Sequence, residues 1–250
     1  MTDYKPTVRQ DLPPPSTVAP SQQDQGLSIV AATILILAVG QYVVFEAITA
    51  AAWKTPVYSY ASNWISDLGV LDCSTFQGRH ICSPLHNLMN TGFILQGVLF
   101  LIASILLLRL FSQASRNVYL PLALIYSVGI MLVGIFHGST AATENGTVAF
   151  HFLGAFMAIP AGNTIAIVTG FQWRRLKTPR WFGRISIVLG FIGIVCVCVL
   201  FPTIGRIPSG IPERASVYTI LLWQLLMGIV LLVAGVSARV KAQGITTMTP

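Results

Sequence analysis

Charge is scarce in this sequence. Asp, Glu, Lys and Arg together make up 9% of its 250 residues, against about a quarter in soluble domains, which excludes an ordinary water-facing globular surface. Acids are the rarer sign, eight against fifteen Lys and Arg. No HExxH or comparable metal-ligand spacing occurs, and no nucleic-acid motif accompanies the net charge of +7. No cationic segment leads directly into the first apolar run and no small-residue cleavage site follows it, so that run reads as a retained anchor rather than a secretory signal.

What is present is hydrocarbon. The chain is 54% hydrophobic with a mean hydropathy of +0.73, and a bilayer crossing needs about 20 apolar residues. Such runs are read at Ser28–Ala51, Pro84–Leu108, Val118–His137, Val148–Phe171, Trp181–Phe201 and Ala215–Ser237. The expected fold is all-α, a polytopic bundle of six transmembrane helices. Residues 1–27, with Pro13, Pro14 and Pro15, are expected to be a disordered cytoplasmic tail. Residues 28–237 form the membrane domain, 52–83 its long extracytoplasmic loop, and 238–250 a second cytoplasmic tail.

Basic residues set orientation, because cytoplasmic loops near the membrane carry the excess of Lys and Arg. With both termini cytoplasmic, the inner side collects most of them, including the "RRLKTPRWFGR" run from Arg174 to Arg184. That run reads as a topology determinant rather than a phosphate site. Trp53, Trp64, Trp173 and Trp181 fall near predicted span ends, where amphipathic rings prefer the headgroup region. Cys73 and Cys82 lie in the long outer loop and are expected to form a disulfide. Cys196 and Cys198 read as small apolar residues within a helix. Asn145-Gly-Thr is an N-glycosylation sequon, usable only in a eukaryotic cell.

Polar residues are unevenly distributed in depth. Glu46, Asn63, Ser66, Asp67, His80, Ser83, His86, Asn87, Asn90, His137, Glu144, His151, Glu213 and Arg214 all map to the expected outer half. Ionisable groups at membrane depth are costly and by default mark a site. Ser83, His86, Asn90 and Gly97 share one helical stripe, and Ser83 before Pro84 has the pattern of an N-cap. Glu213 and Arg214 could be an interfacial ion pair. A short repeat, "NTGFILQG" from Asn90 and "NTIAIVTG" from Asn163, suggests helical hairpins around a common polar centre.

Several segments resemble a known family. "SNWISDLGV", "CSPLHNLMN", "GIFHGST", "HFLGAFMAIPAGN" and "PERASVYTILLWQ" resemble a family of bacterial and archaeal membrane proteins catalogued as a domain of unknown function (number 998), over about Ile34 to Gly235. The resemblance implies a six-helix bundle and no established reaction. Its recurring residues here would be Ser66, Asp67, Leu68, Gly69, Ser83, Pro84, His86, Asn90, His137, Asn163 and Glu213.

The expected function is binding or chemical modification of a lipid-like or small amphiphilic substrate at the outer leaflet of the cell membrane, or of an endomembrane in a eukaryotic source. His86, His137, Asp67, Glu46 and Glu213 are the candidate catalytic residues, with Asn90, His151, Asn163 and Ser66 for substrate binding. A divalent metal, if used, would sit on His86, His137 and His151, where imidazole nitrogens with an open position can activate water. Haem between two histidines is a weaker reading, since all candidates lie at one depth. A transporter of small molecules or a non-catalytic accessory subunit are the alternatives. The expected partners are membrane lipids and the ligand, with no nucleic acid, and the oligomeric state stays open.

Overall fold

In the computed structural model the described residues are 22–204 and 206–246. Of the tail expected over residues 1–27, residues 1–21 lie outside them, and 22–27 are helical as the start of the first helix. Seven helices follow in order: α1 (Gln22–Ala52), α2 (His86–Leu107), α3 (Gln113–Ile135), the short α4 (Thr140–Glu144), α5 (Val148–Phe171), α6 (Arg180–Thr203) and α7 (Gly210–Thr246). All but α4 are long and apolar enough to cross a membrane, so the chain is a six-span, multi-pass membrane protein. The termini of α1 and α7 extend past the apolar runs, because a helix continues into water wherever nothing breaks it.

The six spans form a closed ring in chain order. α1 packs on α2, α2 on α3, α3 on α5, α5 on α6, α6 on α7, and α7 returns to α1. Short connections make sequential helices antiparallel neighbours. The link from α2 to α3 is a single 3-10 turn, Leu108–Leu110, after which the Ser112 hydroxyl accepts from Ser115 N and caps α3. Six spans bring the start of α1 and the end of α7 to one side, which also carries the Arg109, Arg116 and Arg174–Arg184 cations. We call this the basic end. The other is the loop-bearing end.

Helices in lipid gain no hydrophobic energy by meeting each other, so they associate through close packing and polar contacts. The two glycines of the Asn-Thr repeat show the first. A Cβ on Gly97 would lie 2.6 Å from the Ser127 carbonyl of α3, and one on Gly170 would lie 2.7 Å from the Gly183 carbonyl of α6. A triad of Gln96, Tyr126 and Gln224 shows the second. Gln96 Nε2 donates to Gln224 Oε1 at 2.7 Å and to the Tyr126 hydroxyl at 3.1 Å, while Gln224 Nε2 donates to the same hydroxyl at 3.2 Å. This ties α2, α3 and α7 together at their middles.

The long loop between α1 and α2 contains a 3-10 turn, Ser66–Gly69, and a hairpin of β1 (Ser74–Phe76) and β2 (Arg79–Ile81). Its two-residue turn, Gln77-Gly78, has positive φ at both positions, the form that matches strand twist. Cys73 and Cys82 are bonded across the base of this hairpin. Trp53, just after α1, and Trp64, within the loop, are both buried.

Candidate functional site

The "SDLG" turn is fastened to the bundle from three directions. Glu213, at the start of α7, accepts from Ile65 N through Oε2 at 2.6 Å, with Oε1 3.5 Å from Ser66 N. From the hairpin side, Ser83 Oγ donates to Leu68 O at 2.7 Å. Asn90 on α2 donates through Nδ2 to Gly69 O at 2.8 Å. Gly69 has to lack a side chain, since a Cβ there would overlap the Asn90 amide. Ser83 therefore does not cap α2: the helix starts at His86, its N-cap is Leu85 without a side-chain bond, and the hydroxyl serves the loop carbonyl instead.

Asp67 holds the same turn from within. Its Oδ2 accepts from Trp64 N at 2.9 Å and Arg79 Nε at 2.8 Å, and its Oδ1 accepts from Arg79 Nη2 at 3.1 Å. The Arg79 guanidinium lies 4.1 Å from the centre of the Trp64 ring, and Trp64 Nε1 donates to Ser209 Oγ at 2.8 Å. Planar guanidinium suits both tasks, forking to a carboxylate and stacking on an aromatic face.

Beside it sits a second buried ionic group. Arg214 donates through Nη1 to Tyr60 O and Asn63 O, both at 2.6 Å, and through Nη2 to the Tyr58 hydroxyl. Its Nε lies 3.5 Å from Glu46 Oε1, which also accepts from the Tyr218 hydroxyl at 2.8 Å. Arg214 thus pairs with Glu46 on α1 and not with its neighbour Glu213. Adjacent residues on a helix point about 100° apart, and this turns the two charges toward different partners. Burial pushes the Tyr58 hydroxyl well above its ordinary pKa, against the opposing pull of Arg214.

A cavity of about 600 Å³ lies next to these groups, within the range of about 300–1,000 Å³ usual for ligand sites. Apolar side chains such as Phe93, Val133, Phe152, Val197 and Val217 line most of it. Its polar lining consists of Tyr42, Ser66, His151 and Glu213. Phe156 of α5 and Phe201 of α6 also line it, and they are 70% and 54% exposed on the bundle's perimeter. The cavity therefore reaches the side of the protein between α5 and α6.

The histidines separate. His151 is buried, and its Nδ1 lies 2.8 Å from Phe136 O. A carbonyl only accepts, so Nδ1 carries the proton and Nε2 of the neutral ring keeps its lone pair. His86 and His137 are half-buried and do not line the cavity. His86 Nδ1 meets Ser83 O at 3.0 Å. Burial holds His137 below the usual histidine pKa, with Asp72 opposing this and His86 adding to it. Among the described residues no three His, Cys, Asp or Glu side chains converge as a metal-binding group. The set of His86, His137 and His151 is thus not assembled, because only His151 turns inward.

Other sequence candidates hold helices together. Asn163 is fully buried, donates to Ile159 O and Ser216 O at 2.9 Å each, and accepts from Thr219 Oγ1 at 2.8 Å. Asn90 serves the Gly69 carbonyl. Sequence reasoning brought Glu213, Ser66 and His151 to the site but missed Tyr42, whose position four residues before Glu46 on one face was the available signal. It also missed Arg79, which forks to Asp67 from twelve residues further along the same loop.

No curated protein and no solved structure matches the chain. The model of the family described as protein of unknown function (DUF998) matches residues 30–230, a stretch that contains every residue lining the cavity. The chain belongs to that family.

Proposed function

We propose that this protein takes a lipid-like amphiphile out of the surrounding bilayer and holds it in the cavity beneath the loop-bearing end. The chain of the amphiphile enters between α5 and α6, and its head meets Glu213, Ser66, His151 and Tyr42. The observation that carries this reading is the cavity itself: apolar walls, one polar pole, and an opening between two apolar spans at Phe156 and Phe201. The excess of Lys and Arg at the basic end supports an orientation with both termini cytoplasmic, in which the pocket would open toward the leaflet away from the cytoplasm.

His151 favours chemistry in addition to binding. An imidazole fixed through Nδ1–H keeps the Nε2 lone pair for a second partner, which suits a general base. Native mass spectrometry of protein released from lipid nanodiscs tests the binding. Wild type should retain one amphiphile per chain, and Ala155→Phe or Val197→Trp, which fill the cavity, should lose it while melting at the wild-type temperature. Equal retention in wild type and filled variants would overturn the reading.

A further inference from the structure

The polar pole also says what kind of head it accepts, given that the cavity holds an amphiphile. Acyl chains are already in hydrocarbon before they enter, so moving them from bilayer to an apolar cavity yields little free energy. Selection between lipids then falls to the head.

The pole is rich in acceptors and lacks free cations. Glu213 offers carboxyl oxygens, of which Oε2 accepts from Ile65 N at 2.6 Å while Oε1 makes only a 3.5 Å contact with Ser66 N. His151 adds the Nε2 lone pair left by its bond to Phe136 O. Ser66 and Tyr42 add hydroxyls. No Lys or Arg is among the lining residues. The two guanidinium groups nearby are engaged elsewhere, Arg79 on Asp67 and Arg214 on Glu46 with two loop carbonyls.

From this we infer that the cavity selects an amphiphile whose head donates hydrogen bonds, a hydroxyl or an amine, and rejects phosphate and carboxylate heads. A hydroxyl or amine can give its protons to Glu213 and His151. An anionic head would lose its water and find no cation among the lining residues, and a buried charge without a partner is costly.

The test uses Cys198, which lines the cavity and is exposed. In a Cys196→Ser background it is the free thiol of the chain, since Cys73 and Cys82 are bonded. Its labelling by a membrane-permeant maleimide is timed in phosphatidylcholine nanodiscs with four probes that share one tail: hexadecanol, hexadecylamine, hexadecanoate and hexadecyl phosphate. The alcohol or the amine should slow labelling about tenfold more than either acid, a difference of ~1.4 kcal/mol. Whichever of the two protects better identifies the head. Glu213→Gln should narrow the gap between alcohol and acid. Equal or stronger protection by hexadecanoate or hexadecyl phosphate would overturn the head assignment while leaving amphiphile binding intact. Protection by none of the four would overturn both.

Discussion

The two ends of the bundle use charge in opposite ways. At the basic end Arg174, Arg175, Lys177, Arg180 and Arg184 lie around the turn from α5 to α6, most of them exposed. Arg116 there donates to Leu108 O at 2.7 Å and Phe111 O at 3.1 Å, serving carbonyls of the turn between α2 and α3. At the loop-bearing end Glu46, Asp67, Glu213 and Arg214 are all at most 6% exposed, and each is bonded to a loop, a neighbouring span or both. Cations at a water interface need no partner, so they can orient the chain without shaping it. Charges within the fold must be paired, so they dictate where the loop goes and leave a polar pole at the cavity.

The sharpest way to break this comparison is to remove one member of a buried pair. Arg79→Ala leaves Asp67 buried without its fork and should cost about 3–5 kcal/mol, whereas Arg175→Ala should change stability by less than ~0.5 kcal/mol. Thermal unfolding in the same detergent compares them. Equal effects would mean that both ends use charge alike. Replacing Cys73 and Cys82 together by Ser frees the hairpin that carries Arg79, and should cost about 2–4 kcal/mol. Proteolysis within residues 71–83 of that variant, with the spans intact, would show that the loop is held as a unit.

Smaller effects sharpen the picture. Tyr218→Phe removes one hydrogen bond to Glu46 and should cost about 1 kcal/mol without altering the basic end. The smallest effect is a pH dependence from His137. Its folded pKa lies below the ordinary histidine value near 6.5, so the unfolded chain takes up the proton first. Stability from this group is complete above pH ~6.5 and declines as pH falls from there toward the folded pKa. His137→Gln should flatten the melting temperature across that window. The basic end holds no histidine, and variants there should leave the slope unchanged.

Much of this architecture was legible in the sequence. The six spans stood out because a bilayer demands long uninterrupted apolar runs, and the spans begin and end near Pro84, Val148 and Phe171 as read. The concentration of polar residues toward one end of the spans also identified the end that bears the cavity. Partners were harder to read. His86, His137 and His151 share a depth, but depth does not fix which way a side chain turns, and only His151 faces the cavity. Asp67 and Asn163 had the residue types of a reactive site, yet their bonds to Arg79, Ser216 O and Thr219 are set by loops and helix crossings far apart in sequence. A polar pocket of His, Asp, Glu and Asn was the expectation; the cavity is instead mostly apolar, and its walls had no sequence signal because they look like any lipid-facing helix surface.

The most direct test of the account is a cryo-electron microscopy map of the wild-type protein in lipid nanodiscs. The account predicts an elongated density running in between α5 and α6, with its head against Glu213 and His151. A map in which the cavity is closed, or filled only by side chains, would contradict it.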